Sequence, residues 1–435
     1  VSEITWVYIK NLAQHIGTKV EIRGWIRNKR SSGKLAFLQL RDGSGFVQAV
    51  AELAVLGEET FKIIKTIKIE SSFIIRGTVN KDERAPNGVE LAVEYFQPVH
   101  LNTDDYPIAN KDHNVDFLMG YRHLWLRSKR QFHIMTIRNR IIRAIRDFYF
   151  KEGFKQIDNP IFTGSVGESA GNLFSLDYYD YGKVYLAQTG QLYLEAAAQA
   201  YGKVFDFGPT FRAEKSKTRR HLIEFWMNDT EMAFFHHDDN LKLQEQLVSY
   251  VVQSVLENCK EDLAALERDL TFLERVKPPF HRITYTECIE RLKKDGFSIE
   301  WGDDFGAQEE IHIANLYDRP VFVEKFPRAF KAFYMQPDPE NPKVVLCADL
   351  LANEGYGEII GGSERIWDKD LLIERIKESG LNVEEYKWYL ELREYGSVPH
   401  SGFGIGLERT VCWICGLQHI REAIPFARTL YRVYP

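Results

Sequence analysis

The sequence predicts an α+β protein in two unequal parts, a small all-β barrel followed by a larger domain whose mostly antiparallel sheet is flanked by helices. Three observations lead there. A chain of 435 residues exceeds one ordinary domain. Its first hundred residues fall into short alternating runs with turn signals between them. Beyond residue 128, helical and extended patterns mix without the βαβ regularity of a parallel sheet.

The N-terminal runs are VEIRGWIRNKR from Val20, KLAFLQLRD from Lys34, GFVQAV from Gly45, SSFIIRGTVN from Ser71 and VELAVEYFQPV from Val89. Val89, Leu91, Val93 and Tyr95 alternate cleanly, and Asp42-Gly43 supplies a hairpin turn. One helical stretch, Leu56 to Lys68, separates the third and fourth runs. Five strands with a helix after the third match an OB-type barrel, a fold that commonly binds single-stranded nucleic acid on its open face. This gives a barrel over residues 1–102. Periodicity breaks up over 103–128, around Tyr106-Pro107 and the charged Lys111 to His113, which reads as a hinge. Residues 129–435 form the second domain. It opens on an amphipathic helix in which Ile134, Ile137, Ile141, Ile145 and Phe148 share a face while Arg138, Arg140, Arg143 and Arg146 project elsewhere, ending at Gly153.

Composition narrows the function. With 44% hydrophobic and 27% charged residues the chain is globular rather than disordered. No apolar run approaches the ~18 residues of a membrane span, and the opening VSEITWVYIK lacks a secretory layout, so a cytoplasmic protein is expected. Five scattered cysteines point to reduced thiols, with the C-x-x-C of Cys412 and Cys415 read as buried helix residues rather than half of a zinc site. A net charge of −6 argues against a nucleic-acid partner, yet two stretches reverse it. Lys19 to Arg41 holds seven basic residues against Glu21, and Lys215, Lys217, Arg219 and Arg220 crowd into six positions. Each is either a solvated face or a phosphate-binding patch.

Three segments of the second domain carry chemistry in a fixed order. Gly153 to Pro160 reads G-F-x-x-I-x-x-P, a helix end running into a strand stopped by proline. Phe211 to Glu214 reads FRAE, followed by the basic loop KSKTRRH and the strand EFWMNDTEMAF. On a strand, Arg212 and Glu214 would share one face, forming either a surface ion pair or a site in which one binds phosphate and the other accepts from an amine. Gly402 to Arg409 reads GFGIGLER, alternating glycines that let another group approach a strand before a helix begins.

The ordered set resembles motifs one, two and three of the class II aminoacyl-tRNA synthetases, at 153–162, 205–235 and 402–415, and the barrel is similar to the anticodon-binding domain of the aspartyl, asparaginyl and lysyl subgroup. The resemblance covers nearly the whole chain. It implies ATP as a substrate, with Arg212 on the α-phosphate, Glu214 on the adenine amino group, His221 near the outer phosphates, Phe225 stacked on adenine and Arg409 at the γ-phosphate. Gly404 and Gly406 would leave room for the nucleotide. Asp349 and Glu358 are the carboxylates implied to carry Mg²⁺, which takes hard oxygen ligands. One departure concerns the metal: aspartyl relatives place a Ser three residues after this Glu, where the chain has Gly361. In the barrel, Phe37, Gln48 and Glu90 match residues that stack on or hydrogen-bond anticodon bases, although Phe37 is equally readable as barrel core. A homodimer is implied by the likeness of the amphipathic helix to the family's dimer-forming element, and packing within the chain explains its stripe as well.

The amino acid is addressed by LAQTGQLYLE, Leu186 to Glu195. Aspartyl enzymes read QSPQLYKQ here, with a lysine that pairs with the substrate carboxylate, and this chain has Leu194. Arg365 matches the arginine that contacts the substrate side chain, and Asp229 falls at a position usually Glu in asparaginyl enzymes and Asp in aspartyl ones. If Arg365 and Asp229 cancel, the pocket suits a carboxamide, and burying a carboxylate without the lysine costs on the order of 3–5 kcal/mol. Leu194 is otherwise a core residue. Glu168, Gln188 and Gln191 complete the implied amino-acid site, Glu168 and Gln191 on the substrate ammonium. L-asparagine and tRNA(Asn) are therefore the expected partners. The alternatives are an aspartate enzyme, a paralogue that makes asparagine through the same adenylate, and a non-catalytic tRNA-binding protein.

Overall fold

The structure, a computed structural model, describes residues 4–108, 111–164, 167 and 172–435. Two compact units divide it, Val1–Met119 and Gly120–Pro435. In the first, strands Lys19–Ser32 (β1), Leu35–Arg41 (β2), Phe46–Glu52 (β3), Ser72–Lys81 (β4) and Val89–His100 (β5) close into a barrel in the order β1-β2-β3-β5-β4. All neighbours are antiparallel except β3 and β5. Alternation drives the closure. Ile22, Leu38, Leu40, Val47, Ala49, Phe73, Ile75 and Leu91 point inward and are buried, leaving the intervening residues for the outer face. The helix Leu53–Thr66 contributes Phe61 and Ile64 to this core. Gly43, at φ +85°, turns β2 into β3 as expected of Asp42-Gly43, though the loop is four residues long because Arg41 pairs with Phe46.

The boundary falls inside the expected hinge, and the last part of that segment, from Gly120, belongs to the larger unit. Val115–Gly120 and Arg122–Trp125 are helical, and Arg122 is buried, its Nε donating to the Pro425 carbonyl at 2.7 Å and its Nη2 to that of Ile424 at 2.8 Å. These partners lie some three hundred residues downstream, so the charged, irregular segment gave no local sign of them.

A nine-stranded sheet organises the second unit. Its path runs His281–Thr284, Val321–Glu324, Cys347–Ala352, Gly357–Glu364, His400–Gly406, Glu224–Ala233, Lys203–Phe205, Lys155–Gln156, with Gly208–Phe211 paired beside Glu224–Ala233. Only the two end pairs are parallel. This is the antiparallel sheet the sequence predicts. The helix Lys129–Lys151 starts where the Ser128 side chain accepts from the Gln131 N–H, and it buries Ile134, Ile137, Ile141, Ile145 and Phe148 against the helices His237–Asn258 and Leu407–Cys415. The apolar stripe is thus filled within the chain. Its arginines are not uniformly exposed either. Arg138 is buried against Glu408, Arg140 donates to Ser254 Oγ, and Arg146 lies over the Phe207 ring. All five cysteines are buried and free, as the scattered pattern implies.

Candidate active site

The glycines of GFGIGLER lie on the central strand His400–Gly406, and their neighbours explain two of them. Antiparallel register sets Gly402 opposite Glu231, Gly404 opposite Asp229 and Gly406 opposite Met227. A Cβ on Gly402 would stand 2.1 Å from Glu231 Oε1, and one on Gly404 2.5 Å from Asp229 Oδ1. Both positions need glycine so that carboxylates of the next strand can lie across them. A Cβ on Gly406 would meet nothing nearer than Arg409 atoms at 3.9 Å. The space expected at Gly404 for a nucleotide is therefore occupied by Asp229, whereas that at Gly406 is open.

Above this floor lies a cavity of about 590 Å³. Arg212, Glu214, His221, Phe225, Asp229, Gln191, Asp349, Glu358, Arg365, Gly404, Gly406 and Arg409 all line it. Sequence positions spread over more than two hundred residues are brought to one chamber. Arg212 and Glu214 are not on a strand, because Gly208–Phe211 ends just before them. The Arg212 N–H still pairs with the Ile223 carbonyl at 3.0 Å, which carries the hairpin one step further, and the guanidinium sits over the Phe225 ring at 5.5 Å. His221 Nε2 lies 3.7 Å from Glu214 Oε2, and burial, aided by Arg409 and Arg212, pushes the imidazole below its ordinary value. Arg409 Nη1 donates to the Glu358 carbonyl at 3.0 Å and to Glu358 Oε2 at 3.2 Å.

Asp349 and Glu358 face one another across Gly361. A Cβ there would lie 3.0 Å from Glu358 Oε1 and 3.5 Å from Asp349 Oδ1, so the missing side chain leaves a small space with a carboxylate oxygen on each side. Two oxygen donors around such a space fit a hard divalent cation whose remaining ligands come from phosphate and water. Among the described residues no cluster of three or more His, Cys, Asp or Glu side chains surrounds a metal position. Burial pushes Asp349 up to about 6, Glu358 adding to the rise and Lys331 opposing it from 2.8 Å. Burial would raise Glu358 too, but Arg409, Lys331 and Arg212 outweigh it and hold it below its ordinary value.

A second polar group surrounds Arg365. Its Nε donates to Glu231 Oε1 at 2.9 Å, Nη2 reaches the same oxygen, and Nη1 donates to Ser363 Oγ at 2.7 Å. The guanidinium lies 5.2 Å from the Tyr334 ring centroid. Asp229 Oδ2 instead accepts from Thr189 Oγ1 at 2.6 Å and the Gly190 N–H at 2.8 Å. The expected cancellation of Arg365 by Asp229 is corrected: Glu231, two residues along the same strand face, is the carboxylate that Arg365 holds. Burial first, then Glu195 and Asp229, push Glu231 up to about 8 against the pull of Arg365.

Two further expectations at this end are corrected. Leu194 is fully buried with Ala198, Val204, Ile157 and Ala197, on the face of helix Gln191–Tyr201 turned toward the sheet, and it does not line the cavity. Gln188 is also absent from the cavity wall, its Nε2 donating to the Asn172 carbonyl at 3.1 Å. Glu168 lies outside the described residues. Sequence reasoning missed Lys331, Glu231, Thr189, Tyr334 and the Arg220–Glu310 pair, where Arg220 Nη1 meets Glu310 Oε2 at 3.0 Å. Of these only Arg220 gave a signal, as part of the basic loop.

On the barrel, Phe37 is half-buried on the outer face between the inward-pointing Ala36 and Leu38, so it is not core. The Arg30 guanidinium stacks over its ring at 4.8 Å. Gln48 and Glu90 are register partners on β3 and β5, and Gln48 Nε2 donates to Glu90 Oε2 at 2.7 Å.

The cavity of about 590 Å³ is thus lined by four arginines and stands on an antiparallel sheet, in a chain that also carries a five-stranded barrel. The family described as tRNA synthetases class II (D, K and N) matches residues 114–430, and that described as OB-fold nucleic acid binding domain matches 20–99. The chain belongs to the class II tRNA synthetases of the D, K and N group. It is similar to asparaginyl-tRNA synthetase from Pyrococcus horikoshii complexed with asparaginyl-adenylate, at 45% identity over 100% of both chains and a TM-score of 0.96. The asparaginyl-tRNA synthetase of Entamoeba histolytica in complex with asparaginyl-adenylate is 32% identical over 99% of this chain and 100% of that one, with a TM-score of 0.91. A putative aspartyl-tRNA synthetase from Leishmania major Friedlin is 26% identical over 100% and 96%, with a TM-score of 0.87. Among the described residues no helix is long and apolar enough to cross a membrane.

Proposed function

We propose that this synthetase is an asparagine–tRNA ligase, which joins L-asparagine to ATP as asparaginyl-adenylate and then transfers it to the 3′ end of tRNA(Asn). The observation that carries the amino acid is the pairing of Arg365. Its Nε and Nη2 are already engaged by Glu231, with Asp229 on the same strand face, so a side-chain carboxylate would enter beside two acidic side chains without a free cation to meet it. A carboxamide accepts from Arg365 and donates to a neighbouring carboxylate at no such cost, and the difference is on the order of 3–5 kcal/mol. Two similar asparaginyl structures hold the adenylate their descriptions name, which supports the same reading.

In the mechanism this supports, Glu168 and Gln191 hold the substrate ammonium. A carboxylate oxygen of the amino acid attacks the α-phosphorus in line, and pyrophosphate leaves. Arg212 neutralises the α-phosphate, His221 and Arg409 meet the outer phosphates, and Phe225 and Glu214 fix the adenine. Little proton movement is required, so positioning and charge neutralisation supply the rate. Mg²⁺ would be held by Asp349 and Glu358 and, when bound, offsets charge on the phosphates. In transfer, a ribose hydroxyl of the tRNA attacks the activated carbonyl and AMP leaves. Phe37, Gln48 and Glu90 read anticodon bases. A homodimer belongs to the same reading, through the element that holds the long helix and the segment to Pro160, which the exposed Ile161 and Phe162 follow.

ATP–pyrophosphate exchange with asparagine and with aspartate, each without and with tRNA, is the test. Asparagine-driven exchange is expected. Exchange with aspartate alone would make the chain an aspartate enzyme, the reading that Asp229 favours, and exchange with neither would make it a binding protein.

A further inference from the structure

Behind the amino-acid end of the cavity lies a buried polar cluster. Glu195, on helix Gln191–Tyr201, is 0% exposed and accepts from four side chains. Tyr389 Oη reaches both its oxygens at 2.7 Å, Arg393 Nη2 and His400 Nε2 reach Oε2, the latter at 2.9 Å, and Gln191 Nε2 reaches Oε1 at 3.1 Å. Of these only Gln191 also lines the cavity. An ionised carboxylate is acceptor-only, so this contact fixes which way the Gln191 amide points. One N–H of its NH₂ is held by Glu195, which turns the amide so that its carbonyl oxygen is the acceptor it can offer an ammonium group. Arg365 is within electrostatic reach of Glu195, and its backbone N–H is bound to the carbonyl of His400 at 2.9 Å. Glu231 and Glu195 thus both act on the Arg365 guanidinium, Glu231 by direct contact and Glu195 from within its cluster with Arg393 and His400.

We infer that Glu195 is a specificity-determining positioning residue, which orients Gln191 toward the substrate ammonium and adds the buried negative charge that rejects a side-chain carboxylate. It never touches substrate. This inference rests on the asparagine reading and names a residue that enforces it. A neutral amide at this position keeps the shape, leaves the cluster one charge more positive and lets Gln191 flip, since a Gln can accept or donate. The same volume therefore admits aspartate more readily and holds any amino acid less well.

Exchange is measured with asparagine and with aspartate for the wild type, Glu195→Gln and Glu195→Asp, with thermal unfolding to verify that each is folded. Glu195→Gln is expected to raise the asparagine KM about tenfold with kcat within about threefold, and to shift the aspartate-to-asparagine ratio of kcat/KM about tenfold toward aspartate. Glu195→Asp keeps the charge but shortens its reach, so KM rises and the ratio stays. Wild-type KM and ratio in Glu195→Gln overturn the inference and leave the asparagine reading standing. Should Glu195→Gln not fold, an unchanged KM or a shifted ratio in Glu195→Asp overturns it instead. Aspartate-driven exchange by the wild type overturns both readings together.

Discussion

Gly404 cannot carry a side chain while Asp229 keeps its place. Its would-be Cβ is 2.5 Å from Asp229 Oδ1 and 3.0 Å from Met227 Sδ, so Gly404→Ala must displace the carboxylate that Thr189 and Gly190 hold. Overpacking of this kind costs roughly 1–3 kcal/mol. The KM for the amino acid is expected to rise about ten- to hundredfold while that for ATP stays within about threefold, read by exchange at varied concentrations of each. A rise confined to ATP would return Gly404 to the nucleotide. The sequence motif makes glycine legible at this residue but not its reason. Asp229 and Glu231 lie two apart on one strand and share a face, and no local pattern tells which of them Arg365 reaches. Leu194 fails for a related cause: matching a family position says nothing about which side of helix Gln191–Tyr201 meets the cavity, and that face is set by Val204 and Ile157 packing from elsewhere.

Elements were more legible than their partners. Period-two alternation marks the barrel strands and period-3.6 spacing marks Lys129–Lys151, because burial on one face is written into the local order of residues. What that helix does with its arginines is not local. Arg138 reaches Glu408 at 2.8 Å on the helix Leu407–Cys415, and Glu408 Oε2 also accepts from the Trp226 N–H. Burial pushes Glu408 up to about 7, with Arg138 and the Trp226 amide pulling the other way. The sign follows from linkage. The unfolded carboxyl ionises near its ordinary value of 4.5 and the folded one only near 7, so the native state holds more protons between them. This group therefore lowers stability as pH rises from about 4.5 to 7, by about 3 kcal/mol in all, and adds no slope above. Glu408→Gln removes the titration. Urea unfolding at pH 5, 6, 7 and 8 is expected to show wild type losing stability relative to the variant up to pH 7 and running parallel to it beyond. Parallel curves throughout would place the carboxyl at an ordinary value.

At the scale of the molecule, each unit buries its own core, Ile22, Leu38, Ala49 and Leu91 inside the barrel and the nine-stranded sheet with its helices in the other. The residues proposed for amino-acid activation all lie in Gly120–Pro435, and those proposed for base recognition all lie in the barrel. The two functions should therefore separate on mutation. Phe37 stands half-buried on the outer face with Arg30 over its ring, a cation and aromatic pair of the kind on which an unstacked base stacks. Truncation to Ala removes no core contact, since Ala36 and Leu38 on either side fill the interior. Aromatic stacking is worth about 1–3 kcal/mol per base, so Phe37→Ala is expected to raise the KM for tRNA about ten- to hundredfold in aminoacylation. ATP–pyrophosphate exchange without tRNA, measured on the same preparation, is expected to match wild type. Loss of exchange in step with aminoacylation would mean that the barrel supports the catalytic unit's structure. Wild-type behaviour in both assays would remove Phe37 from the anticodon site and leave Gln48 and Glu90, held to each other at 2.7 Å, as the face that reads the bases.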